Sequence, residues 1–230
     1  MKNKKLGNRL MSVSSMVRRG AVLADIGTDH AYLPIYLLKS GIISRAVCSD
    51  INKGPLASAE ENLKEEGLAG AAELLLTSGA SELSGKGITD YAICGMGGEL
   101  IARIIEEAPH LRNSELLLIL QPMTKHEQLR SYLAGAGFEV LMEKYSLDEG
   151  KYYTAIQAQY TGKPYTLSDY DAYFGKGAEG LITDEARVGY IRARGAALAK
   201  IVKGKKLAEA DCSLETGLLK ELSERMKFTL

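Results

Sequence analysis

Five residues in one short run, Asp25, Gly27, Thr28, Asp29 and His30 of ADIGTDHAYLP, set acids, a hydroxyl and an imidazole at the end of an apolar stretch, Ala21 to Ile26. A glycine at such a strand end lets the backbone approach a ligand with no Cβ in the way. The next apolar run ends on Asp50, followed by Ile51, in SDINKGP. A carboxylate there can accept both hydroxyls of an unphosphorylated ribose. Helix caps at the two strand ends are the alternative for Asp25 and Asp50. A dinucleotide turn would read G-x-G-x-x-G and deliver a pyrophosphate to a helix N-terminus. Here the turn reads Gly27-Thr28-Asp29-His30-Ala31, and its carboxylate would repel a pyrophosphate. The same carboxylate attracts the sulfonium and ammonium groups of S-adenosyl-L-methionine.

Other side chains extend the chemistry. Gly95, Met96, Gly97 and Gly98 leave a fourth apolar run with almost no bulk, so that a flat base extruded from a nucleic acid can stack there. Gln121 and Pro122 end a fifth run, and Gln121 can hydrogen-bond a base edge. Asp29 has two open roles. It either stabilises positive charge developing on a purine during alkylation of a ring nitrogen or caps the helix that starts near Ala31. Tyr32, Tyr152 and Tyr153 are stacking groups or packing residues.

The elements that position these residues follow from the pattern. Runs 21–26, 45–50, 73–77, 91–94 and 116–120 alternate with helical segments, which argues for βαβ units and a parallel sheet. Pro55 opens one helix and Gly67 closes it; Thr124 is placed to cap the helix of KHEQLRSYLAGAG. FEVLMEKY and YYTAIQAQY, separated by SLDEGK, read as an antiparallel hairpin at the sheet edge. Five parallel strands and such a hairpin form the arrangement of Rossmann-like class I methyltransferases. Strand signals stop after Tyr160. A connector rich in glycine and tyrosine follows, and then Val188, Ile191, Leu198 and Val202, with Gly195 in the slot between, face a second stripe of Leu214, Leu218 and Leu222. Two antiparallel helices in a short coiled-coil hairpin satisfy both. The expected division is residues 1–160 for the cofactor and 161–230 for the helical tail.

Composition excludes several classes. With 46% hydrophobic and 25% charged residues the chain is globular rather than disordered. No apolar run approaches membrane-spanning length, and the basic start lacks a signal-peptide core, so the cytoplasm is the default address; of the oligomeric states, which the sequence leaves open, a monomer is favoured. Cys48, Cys94 and Cys212 are odd in number and far apart, without metal-ligand spacing, so no metal is expected. The net charge of zero hides two basic segments. One carries Lys2, Lys4, Lys5, Arg9, Arg18 and Arg19; the other carries Arg187, Arg192, Arg194, Lys200, Lys203, Lys205 and Lys206. They mark either a polyanion surface or solvated helix faces.

ADIGTDHAYLP, SDINKGP, ICGMGGELI and LILQPMT, in that order, resemble the bacterial TrmK family of tRNA adenine N1-methyltransferases. The match covers about residues 5–160 and runs more loosely into the tail. The resemblance implies S-adenosyl-L-methionine as cofactor and tRNA as partner, with methylation at N1 of adenosine 22 and a coiled-coil tail that helps hold the RNA. It implies Asp25, Gly27, Thr28, Asp29 and His30 as the first cofactor loop, Asp50 and Ile51 as the ribose and adenine contact, and Gly79, Ala80, Gly95, Met96 and Gly97 as further cofactor contacts, the last three where related enzymes hold the acceptor. It leaves Gln121, Pro122, Arg187, Arg192, Arg194, Lys200 and Lys203 to the RNA. One departure from the family is plain: its Gly-Asp-Gly after the third strand reads Gly79-Ala80-Ser81 here. The missing carboxylate is expected to cost one hydrogen bond to the cofactor's adenine, about 1 kcal/mol. A small-molecule methyltransferase and a non-catalytic RNA-binding protein are the rival classes.

Overall fold

The computed structural model describes residues 6–176 and 184–226. Lys2, Lys4 and Lys5, and part of the glycine-rich connector, lie outside the described residues. Seven strands form one sheet in the order β3-β2-β1-β4-β5-β7-β6. The strands are β1 (Val22–Ile26), β2 (Arg45–Asp50), β3 (Ala72–Leu76), β4 (Asp90–Gly97), β5 (Leu117–Thr124), β6 (Phe138–Asp148) and β7 (Lys151–Tyr160). The first five run parallel, and β7 inserts antiparallel between β5 and β6. Helices α1 (Asn8–Ser14), α2 (Tyr32–Lys39), α3 (Lys53–Glu65), α4 (Gly98–Glu106) and α5 (His126–Gly135) cover the sheet. Parallel strands buried on both faces need apolar residues at every position, and the two-residue period sorts them. Ala24, Ile26, Val47, Tyr91, Ile93, Leu118 and Leu120 pack on one side, while Leu23, Ala46, Cys48, Ala92, Leu117 and Ile119 pack on the other.

Three local features depart from the sequence reading. Strand β4 continues through Gly95 to Gly97, and its register with β5 shifts around Met96, so the glycine run is a bulge within the sheet. Thr124 ends β5 and caps nothing; the residue before α5 is Lys125, in a left-handed conformation at φ 56° with no side-chain cap. The β6–β7 pairing extends to Asp148 and Lys151. Only Glu149 and Gly150 form the turn, both at positive φ as a tight twisted hairpin requires.

The tail comprises α6 (Asp169–Phe174), α7 (Glu185–Leu207) and α8 (Ser213–Met226). Asp184 caps α7, accepting from the backbone N–H groups of Ala186 and Arg187. Ile191, Leu198, Val202 and Leu218 are buried along the expected seam, and a Cβ on Gly195 would lie 2.7 Å from a methyl of Leu222. Leu214 stands off the seam, 55% exposed. The tail is also docked on the sheet: Tyr190 packs with Tyr145 of β6 at 5.0 Å between rings, and Gly189 sits against the ring of Tyr152. Beneath it lies a buried ion pair that composition gave no hint of. Arg130 donates through Nε and Nη2 to the two oxygens of Glu143, each at 2.8 Å, and through Nη1 to the carbonyl of Ala172 in α6.

Candidate active site

The sheet order reverses at β1, between β2 and β4, and open α/β sheets bind ligands at the carboxyl ends of the strands at such a point. The chain turns there through Gly27, at φ 72°, whose N–H and that of Thr28 both donate to the carbonyl of Ser49 on β2, at 2.8 and 3.0 Å. A Cβ on Gly27 would collide with the terminal methyl of Met96, so β1 and β4 close on each other at this residue. Asp25 is buried, held by the hydroxyl of Thr28 at 2.6 Å. Burial raises its pKa to about 6, against the lowering effect of the Thr28 bond. The thiols of Cys48 and Cys94 are pushed up by the same burial and by the Asp25 charge beside them. A buried acid with one hydroxyl partner is poised to gain from a cationic ligand.

Asp29 answers the question its position raises. Helix α2 begins at Tyr32 after Ala31, which is itself left-handed at φ 55°, and no side chain caps it. Asp29, at φ 50° and with its side chain 70% exposed, is therefore not a helix cap. Its Oδ1 lies 3.6 Å from Nε2 of His30, whose ring stacks on Tyr32 at 5.2 Å. Two non-glycine residues at positive φ within three positions store strain of about 1–3 kcal/mol each, the kind that clusters at functional loops.

Asp50 accepts from the N–H of Asn52 through Oδ1, which leaves Oδ2 open among the described residues, and it does not cap α3. Ile51 beside it is 68% exposed and Leu76, at the end of β3, is 50% exposed. Two exposed apolar side chains flanking a carboxylate match an adenosine, with its flat apolar base and its ribose hydroxyls. Two buried hydroxyls at the same strand ends, Ser49 Oγ and Thr77 Oγ1, have no partner within the described protein. These are the features S-adenosyl-L-methionine would use. Gly79 turns at φ 72°, but Ala80 is 1% exposed and packed in the core, so its side chain gives a ligand nothing.

On the other side of the bulge, Gly95 takes φ 76° and its N–H, freed from the sheet ladder, donates to Oε1 of Gln121 at 3.1 Å. Gln121 is fully buried, and its Nε2 donates to the carbonyl of Pro122. Gln121 and Pro122 thus do not present an edge to a base, because both are buried. Gln121 supports the glycine loop instead. It also accepts from Nη1 of Arg9 at 2.6 Å, a residue of α1 that the sequence marked only as one of several N-terminal cations.

The tail cations divide. Arg192, Lys200 and Lys203 are exposed. Arg194 is not free, because it bonds Glu127 at 2.8 Å and lies 3.9 Å over the Tyr173 ring. Arg187 leans on Tyr145 and donates to the carbonyl of Lys176. Both serve the packing of the tail. Among the described residues no group of His, Cys, Asp or Glu could hold a metal, and no helix is long and apolar enough to cross a membrane.

Comparison with known proteins meets this geometry. A methyltransferase domain model matches residues 6–156. The tRNA (adenine(22)-N(1))-methyltransferase of Bacillus subtilis (strain 168) is 35% identical over 160 residues, covering 69% of this chain and 67% of its own length. The chain belongs to the TrmK family. A Streptococcus pneumoniae structure, Sp1610, described as a candidate tRNA (m1A22) methyltransferase, superposes with a TM-score of 0.84 at 30% identity, over 96% of this chain and 100% of its own. The M. capricolum TrmK, solved with the cofactor product S-adenosyl-homocysteine, gives 0.73 at 25% identity, over 96% and 95% of the two chains. The likeness to the family structures spans the helical tail as well as the sheet, and the class I methyltransferase fold read from the strand pattern is the fold observed.

Proposed function

We infer that this protein methylates N1 of adenosine 22 in tRNA, using S-adenosyl-L-methionine. The observation that carries it is the junction of Asp25, Gly27 and Thr28 at the end of β1 with Asp50 and Ile51 at the end of β2, beside the glycine bulge of β4, in a chain of the TrmK family. When bound, the cofactor supplies an electrophilic methyl group on a sulfonium. Asp25 and Asp29 provide negative charge near that cation, Asp50 takes the ribose hydroxyls, Ile51 covers the adenine, and Gly79 and His30 line the edge. The N1 lone pair of adenine is already nucleophilic, so holding the extruded base in line supplies much of the rate. Gly95, Met96 and Gly97 leave room for that base. Asp29 offsets the positive charge that N1 methylation places on the purine.

Residues 1–160 form the cofactor-binding part and 161–230 the RNA-binding tail, with Arg192, Lys200 and Lys203 on the phosphates. The protein works on tRNA in the cytoplasm as a monomer. Transfer of a labelled methyl group to unmodified tRNA, but not to the same tRNA carrying guanosine at position 22, tests the proposal. Equal labelling of both, or labelling of small metabolites instead, would overturn it.

A further inference from the structure

We propose that Arg9 binds a phosphate flanking the extruded adenosine, positioning the nucleotide over the glycine bulge. The proposal rests on the tRNA methyltransferase reading above and adds a substrate contact on the acceptor side of the site. Arg9 is built into that side. Its backbone N–H donates to Oδ2 of Asp148 at 3.1 Å, and the neighbouring Asn8 side chain donates to the carbonyl of Leu147 at 2.9 Å, which pins the start of α1 to the β6–β7 hairpin. Its Nη1 donates to Gln121 at 2.6 Å and lies 3.9 Å from where a Cβ on Gly95 would stand, and the guanidinium carbon is 5.9 Å from the centre of the Tyr153 ring. One side-chain amide, Gln121, thus fixes both the glycine bulge and the cation.

The guanidinium is half-buried and held by a neutral amide. Among the described residues its Nε and Nη2 have no hydrogen-bond partner and no carboxylate forms an ion pair with it. Nε and Nη2 are not buried, so this edge of the guanidinium stays open for a ligand oxyanion to take it with a forked pair of charge-assisted bonds. Two oxyanions could reach this site, the carboxylate of the cofactor and a phosphate of the RNA. Arg9 sits among residues of β4, β5 and β7, whereas the carboxylates assigned to the cofactor's cation and ribose, Asp25, Asp29 and Asp50, sit at or just beyond the ends of β1 and β2, which favours the phosphate. The base itself is excluded, because N1 methylation makes it cationic and a guanidinium would oppose the product.

The test compares Arg9→Met, which keeps the apolar stem, and Arg9→Lys with the parent protein. S-adenosyl-L-methionine affinity is measured by calorimetry, tRNA affinity across a salt series, and methylation in single turnover. The proposal expects Arg9→Met to keep cofactor affinity within about twofold and to lose about tenfold or more in tRNA affinity, the size of a charged hydrogen bond. The dependence of log affinity on log salt should flatten by about 0.7 to 0.9, one phosphate's share. Arg9→Lys should restore the slope but only part of the affinity, because an ammonium lacks the fork. A tenfold loss of cofactor affinity with an unchanged salt slope would overturn the proposal in favour of the cofactor carboxylate. An unchanged slope and unchanged affinities would reduce Arg9 to a packing residue. Should Arg9→Met fail to fold, Arg9→Lys alone decides, since a structural role leaves its salt slope and affinity at parent values. A parent protein that methylates no tRNA would overturn the underlying function, and that is seen before any variant is measured.

Discussion

Asp29→Asn separates the two roles that its position allows, and the structure sets the size of each effect. Asn keeps the shape of the side chain and tolerates the left-handed backbone at φ 50° that Asp29 adopts. No helix N–H bonds the Asp29 side chain at the start of α2, so stability should change by less than about 0.5 kcal/mol, as for an ordinary surface substitution. The effect on rate depends on how well water screens the carboxylate. At about 4 Å from the developing charge its attraction is about 1 kcal/mol in open water and about 4 kcal/mol at the effective dielectric of a covered site. With the side chain 70% exposed the first limit describes the free protein, and cover by cofactor and RNA moves it towards the second. Turnover should therefore fall between about 5-fold and about 10³-fold. The assay is single-turnover methylation at saturating cofactor and tRNA, with a thermal melt in parallel. A rate within about threefold of the parent, under ~0.7 kcal/mol, would refute the electrostatic role, and a large loss of melting temperature would show that the side chain holds the loop instead.

Asp50→Ala should weaken S-adenosyl-L-methionine binding tenfold or more by calorimetry, since hydrogen bonds to a charged acceptor are worth about 1.5 to 3 kcal/mol; unchanged affinity would remove Asp50 from the cofactor. Asp25 titrates near 6 in the free fold against 3.8 when exposed, so the native state holds the extra proton and stability falls as pH rises through that window, by about 3 kcal/mol in all. Asp25→Asn should therefore raise the melting temperature of the free protein at pH 7.5 and abolish that slope while weakening cofactor binding; a slope that persists would assign it to another group. Reversing the exposed cations together, Arg192→Glu, Lys200→Glu and Lys203→Glu, should lower tRNA affinity and flatten its salt dependence at unchanged cofactor affinity. Equal tRNA binding would dismiss this face of the tail.

The strand ends were readable because parallel strands are continuous apolar runs and the ligand loops follow them directly, which placed Asp25, Gly27 and Asp50 at one edge. Side-chain direction beyond those ends was not readable. Gln121 sits two residues from an exposed segment, yet it is buried, accepts from the N–H that the bulge frees at Gly95, and is the partner of Arg9, 112 positions away in sequence. Charge counts placed the tail cations on one helix but could not separate Arg187 and Arg194, which lie on Tyr145 and Tyr173, from those that face solvent. The Arg130–Glu143 pair was equally hidden, because its members lie on different elements and carry no local pattern. It matters for the division of the chain: the carbonyl of Ala172 and the hydroxyl of Tyr190 complete the shell of Arg130. Removing the tail at residue 162 would strip Arg130 of these two partners and uncover the apolar face that Tyr145 packs against the tail, a destabilising change. Charge reversal on the exposed face is accordingly the cleaner probe of the tail.

The most direct measurement is nucleoside mass spectrometry of unmodified tRNA incubated with the protein and S-adenosyl-L-methionine, with the modified nucleotide mapped by nuclease fragments. One methyl group, recovered as 1-methyladenosine in the fragment containing position 22, is the predicted result. No methylated nucleoside, or a methyl group mapped to another position, would contradict the assignment of this site to adenosine 22.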